Sequence, residues 1–442
     1  MLASILLIVA LLFAVPVWSQ VEPSATGGAT YTAGAPMMIP PILGGGSFQS
    51  GLGEETQSNY VEGGIVFNAA YTDNVLAGSA VTPVSDSTFS IWPKIQLEHN
   101  TTRQSMSFLY NSGFTFYRRE SVLDAVNQSA ALNSEYRVSP HATIDVQDTF
   151  QQNSNVFNQP FALSDGTASG STSLPTATVI TPYADLYMNT ANADLSYQFS
   201  SVGMIGGGAT FALLDYPDPK QVPGLYNSRT GVGEGFYSHL LSRNQYIGGT
   251  YAYSTVSTPS ANATTQLQTL SLFYSLKLRD EFSFSVSSGP EKSYITLPQA
   301  PSSSSWTPSV LADVAWEKSH AGVSIGYARA VTSGGGLLGE YNSNSANGGL
   351  HWQLSRDWTI DSAASYFISE NVGSQLSSSN PGGHGVTGTA SIERLISQNI
   401  RVQIGYSRLH ESYGDIAAIS GAPDTDREFI SIAYEFKRAL GR

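Results

Sequence analysis

The sequence predicts an all-β chain that forms a transmembrane up-and-down antiparallel β-barrel of about eighteen strands, with long extracellular loops and short periplasmic turns. Three observations favour this fold: segments of alternating apolar and polar residues, short and long connections that alternate between them, and a low content of charge. A strand places successive side chains on opposite faces, so alternation gives one apolar and one polar face. In a membrane barrel, the apolar face meets lipid and the polar face lines the lumen.

The last strand shows the alternation most clearly. Within 426–436, the large apolar residues Ile430, Ile432, Tyr434 and Phe436 fall on one face. The other face carries Phe429, Ser431, Ala433 and Glu435. A final amphipathic strand that ends on an aromatic residue is typical of bacterial outer-membrane barrels. We expect four residues to form a signal for the barrel assembly machinery: Ile430, Ile432, Tyr434 and Phe436. A C-terminal tail, 438–442, follows the barrel.

Similar alternation recurs along 59–437, which we interpret as the barrel. The predicted strands are 60–71, 88–99, 104–117, 129–138, 141–152, 183–199, 202–213, 234–242, 245–256, 265–277, 281–289, 307–317, 320–331, 344–354, 358–369, 385–397, 400–411 and 427–437. Tight connections rich in Ser, Asn and Asp suit short turns. The long connections are rich in Gly, Ser and Pro: 153–182, 214–233, 290–306, 332–343, 370–383 and 412–425. An even number of strands puts both chain ends in the periplasm.

The composition excludes several classes of protein. Charged residues make up 12% of the 442 residues, about half the usual share of a soluble protein. Mean hydropathy is −0.10, as expected when lipid-facing and lumen-facing residues alternate. The absence of cysteine excludes disulfides, thiolate metal sites and a cysteine nucleophile. A net charge of −13 argues against nucleic-acid binding.

The amino-terminal region precedes the barrel. Residues 1–19 resemble a signal peptide, with an apolar run that is slightly short for a spanning helix of about 20 residues. A single transmembrane anchor is the alternative interpretation. Residues 20–58 are rich in Gly, Pro, Ser, Ala and Thr, which predicts a flexible periplasmic segment. No later segment is apolar enough for a transmembrane helix.

Aromatic residues occur near both ends of the predicted strands, where the two membrane interfaces are expected. Trp358 and Tyr366 lie in one strand, and their spacing corresponds to roughly 20 Å of height for a tilted strand, close to the apolar band of such barrels. The turn-side set is Trp316, Trp352, Trp358 and Phe436, and the loop-side set is Tyr71, Tyr327, Tyr366 and Tyr406.

The alternation also assigns charged residues to the lumen. The predicted lumen charges are Glu62, Lys94, Glu98, Asp145, Asp194, Lys277, Asp313, Glu317, Asp361, Glu393 and Arg401. An excess of acids would raise the local concentration of cations and disfavour anions. The alternative is ordinary lumen polarity, with many charges neutralised in pairs. The same alternation assigns four ring-bearing side chains to the lumen: Tyr117, Tyr246, Phe273 and His351.

No residue pattern indicates catalysis or a bound cofactor. Seven histidines are scattered along the chain, and none is spaced from another as metal ligands are in known motifs: His99, His141, His239, His320, His351, His384 and His410. Serine is so abundant that an apparent Ser–His–Asp set has no meaning. We therefore expect no enzyme activity, no metal and no cofactor.

Two segments carry a family resemblance. Residues 63–75, Gly-Gly-Ile-Val-Phe-Asn-Ala-Ala-Tyr-Thr-Asp-Asn-Val, form an opening strand that ends in a Tyr-x-Asp-Asn loop start, and the terminal strand ends at Phe436. With these, the chain resembles the porin-like outer-membrane β-barrel proteins of Gram-negative bacteria. Within that group, it is similar to barrels associated with exosortase (PEP-CTERM) and exopolysaccharide clusters. The resemblance implies an outer-membrane location and no catalytic residues.

A barrel of this size is wide enough to enclose an aqueous channel. We therefore predict a porin-like channel for passive diffusion of small hydrophilic solutes. The alternatives are an exopolysaccharide export conduit, a non-channel surface barrel with binding loops, and a soluble β-rich secreted protein. The expected partners are outer-membrane lipid and lipopolysaccharide, the barrel assembly machinery and small hydrophilic solutes. Nothing in the sequence indicates an oligomeric state.

Overall fold

The structure is a computed structural model, and it describes residues 59–76, 82–155, 183–218, 225–278, 281–297, 300–334, 337–371, 382–413 and 423–440. The predicted signal peptide, the whole segment 20–58 and the last two residues of the chain lie outside this part. Among the described residues, no helix combines the length and the apolar character that a membrane crossing needs.

The described chain contains eighteen β-strands and two short 3-10 turns, Ser121–Leu123 and Pro259–Ala261. The strands are β1 (Tyr60–Thr72), β2 (Asp86–Asn100), β3 (Gln104–Tyr117), β4 (Ala125–Ser139), β5 (Ala142–Asn155), β6 (Tyr183–Gln198), β7 (Gly203–Asp215), β8 (Ser228–Ser242), β9 (Gln245–Thr258), β10 (Ala263–Leu278), β11 (Phe282–Leu297), β12 (Ala300–Lys318), β13 (Ala321–Gly334), β14 (Leu337–Ser355), β15 (Trp358–Asn371), β16 (Gly383–Ser397), β17 (Ile400–Tyr413) and β18 (Asp424–Ala439).

Each strand pairs antiparallel with the strands before and after it, and β18 pairs with β1, so the sheet closes on itself. Closure removes both free edges, which is the condition for a sheet to exist inside lipid. The predicted antiparallel barrel of eighteen strands is confirmed. The end with the short connections, such as the one between β16 and β17, is called the turn end below. The opposite end is called the loop end.

Several strands extend beyond their predicted limits. The range 290–306, interpreted from its composition as a long loop, is wrong in most of its length: β11 and β12 continue into it and pair, as Pro290 does with Pro308. β4 and β8 also start earlier than predicted, and β18 continues to Ala439. Serine and proline disfavour strands locally, but pairing with a neighbouring strand outweighs that preference.

Among the described residues, the pairing between neighbouring strands is incomplete between β12 and β13. These strands pair only from Val310 with Arg329 to Lys318 with Ala321, so β12 above Val310 pairs with β11 alone. Pro308 lies on this free edge of β12, where a missing N–H leaves no ladder bond broken. On the other side of the gap, the N–H of Val331 donates to Glu291 Oε1 of β11 at 2.7 Å. A carboxylate thus replaces the missing strand as the acceptor.

The outer surface of the barrel carries a band of exposed apolar side chains bordered by aromatic ones. Near the turn end, the exposed aromatic residues include Trp316, Trp352, Trp358 and Phe436. Near the loop end they include Tyr71, Tyr327, Tyr366 and Tyr406. Their exposure places these residues on the outer face, as the two aromatic girdles of a membrane barrel require.

The seam between the first and last strands is built around a glycine. Gly63 pairs with Phe436, and a Cβ placed on Gly63 would lie 2.5 Å from the Phe436 ring. The ring therefore lies across the backbone of β1 on the outer face. Only glycine leaves room for this contact, which joins the two ends of the barrel.

Candidate functional site: the inner wall of the barrel

The two faces of the closed sheet differ in composition and exposure. In β17, Gln403 and Ser407 are buried on one face, whereas Ile404 and Tyr406 are exposed on the other. The face with the exposed apolar residues is the outside of the barrel, and the polar face is the inner wall. From the same alternation, we propose that the eleven residues predicted as lumen charges belong to the inner wall.

Five charged residues near the turn end form a paired belt along the wall. Lys94 Nζ lies 3.0 Å from Glu62 Oε1 and also binds Glu435. Arg401 binds the same Glu435 and lies 3.9 Å from Glu393. The belt crosses β2, β1, β18, β17 and β16, so it spans the closure of the barrel. Three acids and two bases leave it close to neutral.

Beyond the paired belt, His351 and Asp361 form a further pair on the inner wall. His351 Nδ1 of β14 lies 2.7 Å from Asp361 Oδ1 of β15, and the two residues face each other in register. Two further predicted charges, Glu317 and Asp313, follow on β12. On this side of the wall, four acids therefore have a basic or imidazole partner: Glu62, Glu393, Glu435 and Asp361.

The opposite situation holds on β5 to β8, where acids line up without bases. Asp145 pairs in register with Asp194, Asp194 with Gly208, and Gly208 with Glu234. We call these three acids the acid row. In the described part of the chain, no ion pair joins any of them to a lysine or arginine. Asn192 donates to Asp194 Oδ2, and the other oxygen of Asp194 has no partner.

Gly208 lies between Asp194 and Glu234 of the acid row. A Cβ on this residue would lie 1.8 Å from Asp194 Oδ1. The space above Gly208 is thus occupied by the carboxylate of the neighbouring strand, and any larger residue would push it away.

Sequence reasoning missed two residues of these groups. The sequence places Glu435 opposite the apolar face of the last strand, but only strand pairing shows that it joins two bases. Glu234 begins the predicted strand 234–242 and is absent from the predicted lumen charges, although the alternation of Phe236 and Ser238 extends back to it. In both cases, continuing the period of two along the strand would have found the residue.

An apolar cluster occupies the loop end of the inner wall. It combines residues of β6, β7 and the connection between β7 and β8 with residues of β14, β15 and β17. The second group lies on the far side of the eighteen-stranded ring. The members are Ala184, Leu214, Tyr216, Leu225, Tyr341, Phe367 and Tyr413. Tyr341 and Tyr413 are fully buried. A wall residue of a wide open lumen would be exposed, so the cluster narrows the loop end.

Two histidines that sequence analysis treated as separate meet on the outer face. His384 of β16 and His410 of β17 place their Nε2 atoms 3.2 Å apart. Their sequence separation hides this contact, which arises from strand pairing. Within the described residues, no group of three or more His, Asp or Glu side chains is arranged to hold a metal ion.

Comparison with solved structures finds barrels of other proteins at low similarity. OccK2 (OpdF) of Pseudomonas aeruginosa, solved with glucuronate, aligns with a TM-score of 0.44 and 10% identity over 86% of this chain and 98% of that chain. OccAB4 of Acinetobacter baumannii aligns with a TM-score of 0.40 and 8% identity over 87% and 100%. The FrpB iron transporter of Neisseria meningitidis aligns with a TM-score of 0.38 and 11% identity over 81% and 63%. No family model matches the chain, and no curated protein matches it.

Proposed function

We propose that this chain is a porin-like channel of the Gram-negative outer membrane, through which small hydrophilic solutes diffuse passively. The observation that carries the proposal is the closed barrel of eighteen strands with a polar inner wall and an apolar outer band. Barrels of this strand number enclose a lumen wide enough for water and small solutes. The short connections then face the periplasm and the long ones face the exterior.

The charges of the inner wall support a preference for cations. The paired belt is nearly neutral, whereas the acid row has no basic partner among the described residues. Fixed negative charges in a narrow aqueous path raise the local concentration of cations and repel anions. We therefore infer that the permeating solutes are neutral or positively charged.

The apolar cluster supports a second property of the channel, its narrow entrance. Tyr341, Phe367 and Tyr413 present rings at the loop end, where they leave less room than a polar wall would. The entrance would set an upper limit on solute size, while the acid row below it would act on charge.

Planar-bilayer recording of the purified protein tests the proposal. Stepwise conductance increases are expected when the protein inserts, and liposomes that contain it should swell in small sugars but not in larger ones. Protein that is folded, as judged by heat-modifiable migration on a gel, but gives no conductance steps would refute the channel function.

Two alternatives remain open. The resemblance to exopolysaccharide-associated barrels motivates an export conduit. The apolar cluster at the loop end motivates a surface barrel without a channel. A deletion strain distinguishes them from a porin. Loss of surface polysaccharide with unchanged solute uptake would favour the conduit, and unchanged polysaccharide and uptake would favour the closed surface barrel.

We also propose that lipid, lipopolysaccharide and the barrel assembly machinery are partners. All four proposed signal residues are exposed on the outer face of β18: Ile430, Ile432, Tyr434 and Phe436. An outward apolar row is the surface that lipid or an assembly factor would contact. Replacing Phe436 with Ala should reduce the amount of folded protein recovered in outer-membrane fractions.

A further inference from the structure

We propose that His384 and His410 form a binding site for a divalent first-row transition-metal ion on the outer face of the barrel. The two residues lie on neighbouring strands near the loop end. His410 is four residues beyond Tyr406 in β17, so it lies roughly 10 Å above the aromatic girdle for a tilted strand. At that height the side chains meet water rather than lipid tails.

The geometry of the two imidazoles matches a shared ion. Their Nε2 atoms are 3.2 Å apart. Two nitrogens bound to one ion at about 2.0–2.1 Å, with a tetrahedral or square arrangement, are separated by roughly 2.8–3.4 Å. The ring centroids are 5.2 Å apart, so the rings approach each other through their nitrogen edges and need little movement to bind.

A carboxylate orients one of the histidines. His410 Nδ1 lies 3.1 Å from Asp424 Oδ1, its register partner on β18. With the proton on Nδ1 donated to the carboxylate, the Nε2 atom carries a free lone pair directed toward His384. This carboxylate–histidine arrangement is the usual support of a metal-binding imidazole, because it fixes the tautomer and increases its basicity.

The surrounding charges are compatible with a cation. Arg408 binds Asp424 at 2.9 Å and Asp426 at 3.4 Å. One guanidinium against two carboxylates leaves the group with a net negative charge, which favours a positive ligand. Because no third protein ligand is present among the described residues, water would complete the coordination. Imidazole ligands select Cu²⁺, Ni²⁺ or Zn²⁺ over Mg²⁺ or Ca²⁺.

Titration of tag-free, folded protein in detergent with Cu²⁺ or Zn²⁺ tests the site. We expect one saturable site per chain, a Cu²⁺ electron paramagnetic resonance spectrum with two nitrogen ligands, and no comparable binding of Mg²⁺. H384A and H410A should each lower the affinity at least tenfold, and D424N should lower it about 10–100-fold, the usual effect of losing a carboxylate behind a metal-binding histidine.

H239A is the matched control, because His239 is also in a strand but lies apart from the pair, beside Tyr237. It should bind the ion as the native chain does. The gel migration of every variant establishes that it is folded, so a loss of binding cannot come from unfolding. Absence of saturable binding, or binding that H384A and H410A leave unchanged, would overturn the proposal.

Discussion

At the scale of single residues, the barrel depends on side chains at positions where the hydrogen-bonded ladder is interrupted or where two strands crowd each other. Gly63 makes room for the Phe436 ring at the seam between β1 and β18. Glu291 accepts the N–H of Val331, which lies beyond the last pair of β12 and β13. Neither role is visible in the local sequence, since each involves a residue distant along the chain.

Replacing Gly63 with Ala should destabilise the barrel. The added methyl would meet the Phe436 ring at 2.5 Å, so the ring must move, at a cost of about 1–3 kcal/mol. The measurement is the urea concentration at which half of the protein loses its folded gel migration. G388A is the control, because a Cβ at Gly388 meets no atom within 4 Å. Equal midpoints for the two variants would contradict this account of the seam.

Replacing Glu291 with Ala should leave the Val331 N–H without an acceptor in a buried position. An unpaired buried donor costs about 1–3 kcal/mol. The Gln variant keeps an amide oxygen that can accept the same bond, so it should recover most of the lost stability. The same urea midpoint compares the variants with the native chain, and an Ala variant as stable as the Gln variant would argue against the role.

At the scale of strands, the charge of the inner wall is divided into sectors. The paired belt crosses the closure of the barrel, and the acid row crosses β5 to β8. Strand pairing decides both groups, because side chains that share a register position on one face become neighbours across the sheet. The acid row therefore acts as one feature, although its residues are far apart in sequence.

Neutralising the acid row should reduce the preference for cations. In the variant D145N/D194N/E234Q, the reversal potential in a salt gradient should shift toward that of an unselective pore. The matched control is D148N, since Asp148 also lies in β5 but on the outer face, where Asn189 donates to it. A shift of the same size in D148N, or none in the triple variant, would show that the row does not set selectivity.

At the scale of the whole molecule, the closed ring brings distant strands to one loop end. The apolar cluster joins β6, β7 and the connection after β7 with β14, β15 and β17, so it exists only when the ring is complete. We expect the cluster to restrict the size of solutes that enter the lumen, whereas the acid row acts on their charge.

Replacing Tyr341 or Tyr413 with Ala should increase single-channel conductance. Both rings are fully buried within the apolar cluster that restricts the loop end, so removing either opens space in that restriction. Y406A is the control, because Tyr406 lies on the outer face. Bilayer recordings should show a larger conductance step for the first two variants than for Y406A, and unchanged steps would place the restriction elsewhere.

The sequence by itself determined the number of strands and the alternation of two faces along each of them. These features follow from a period of two and from the lengths of connections, both of which are local properties of the chain. The proposed assignment of the eleven lumen charges, from Glu62 to Arg401, rests on the same period.

Only the tertiary structure decided which of these groups are neighbours. The pairing of Lys94 with Glu435, the row from Asp145 to Glu234, and the contact of His384 with His410 depend on the register between strands. A shift of two residues in that register would keep every face and change every contact. Closure of the whole ring fixes the register, and no single segment of the sequence contains that information.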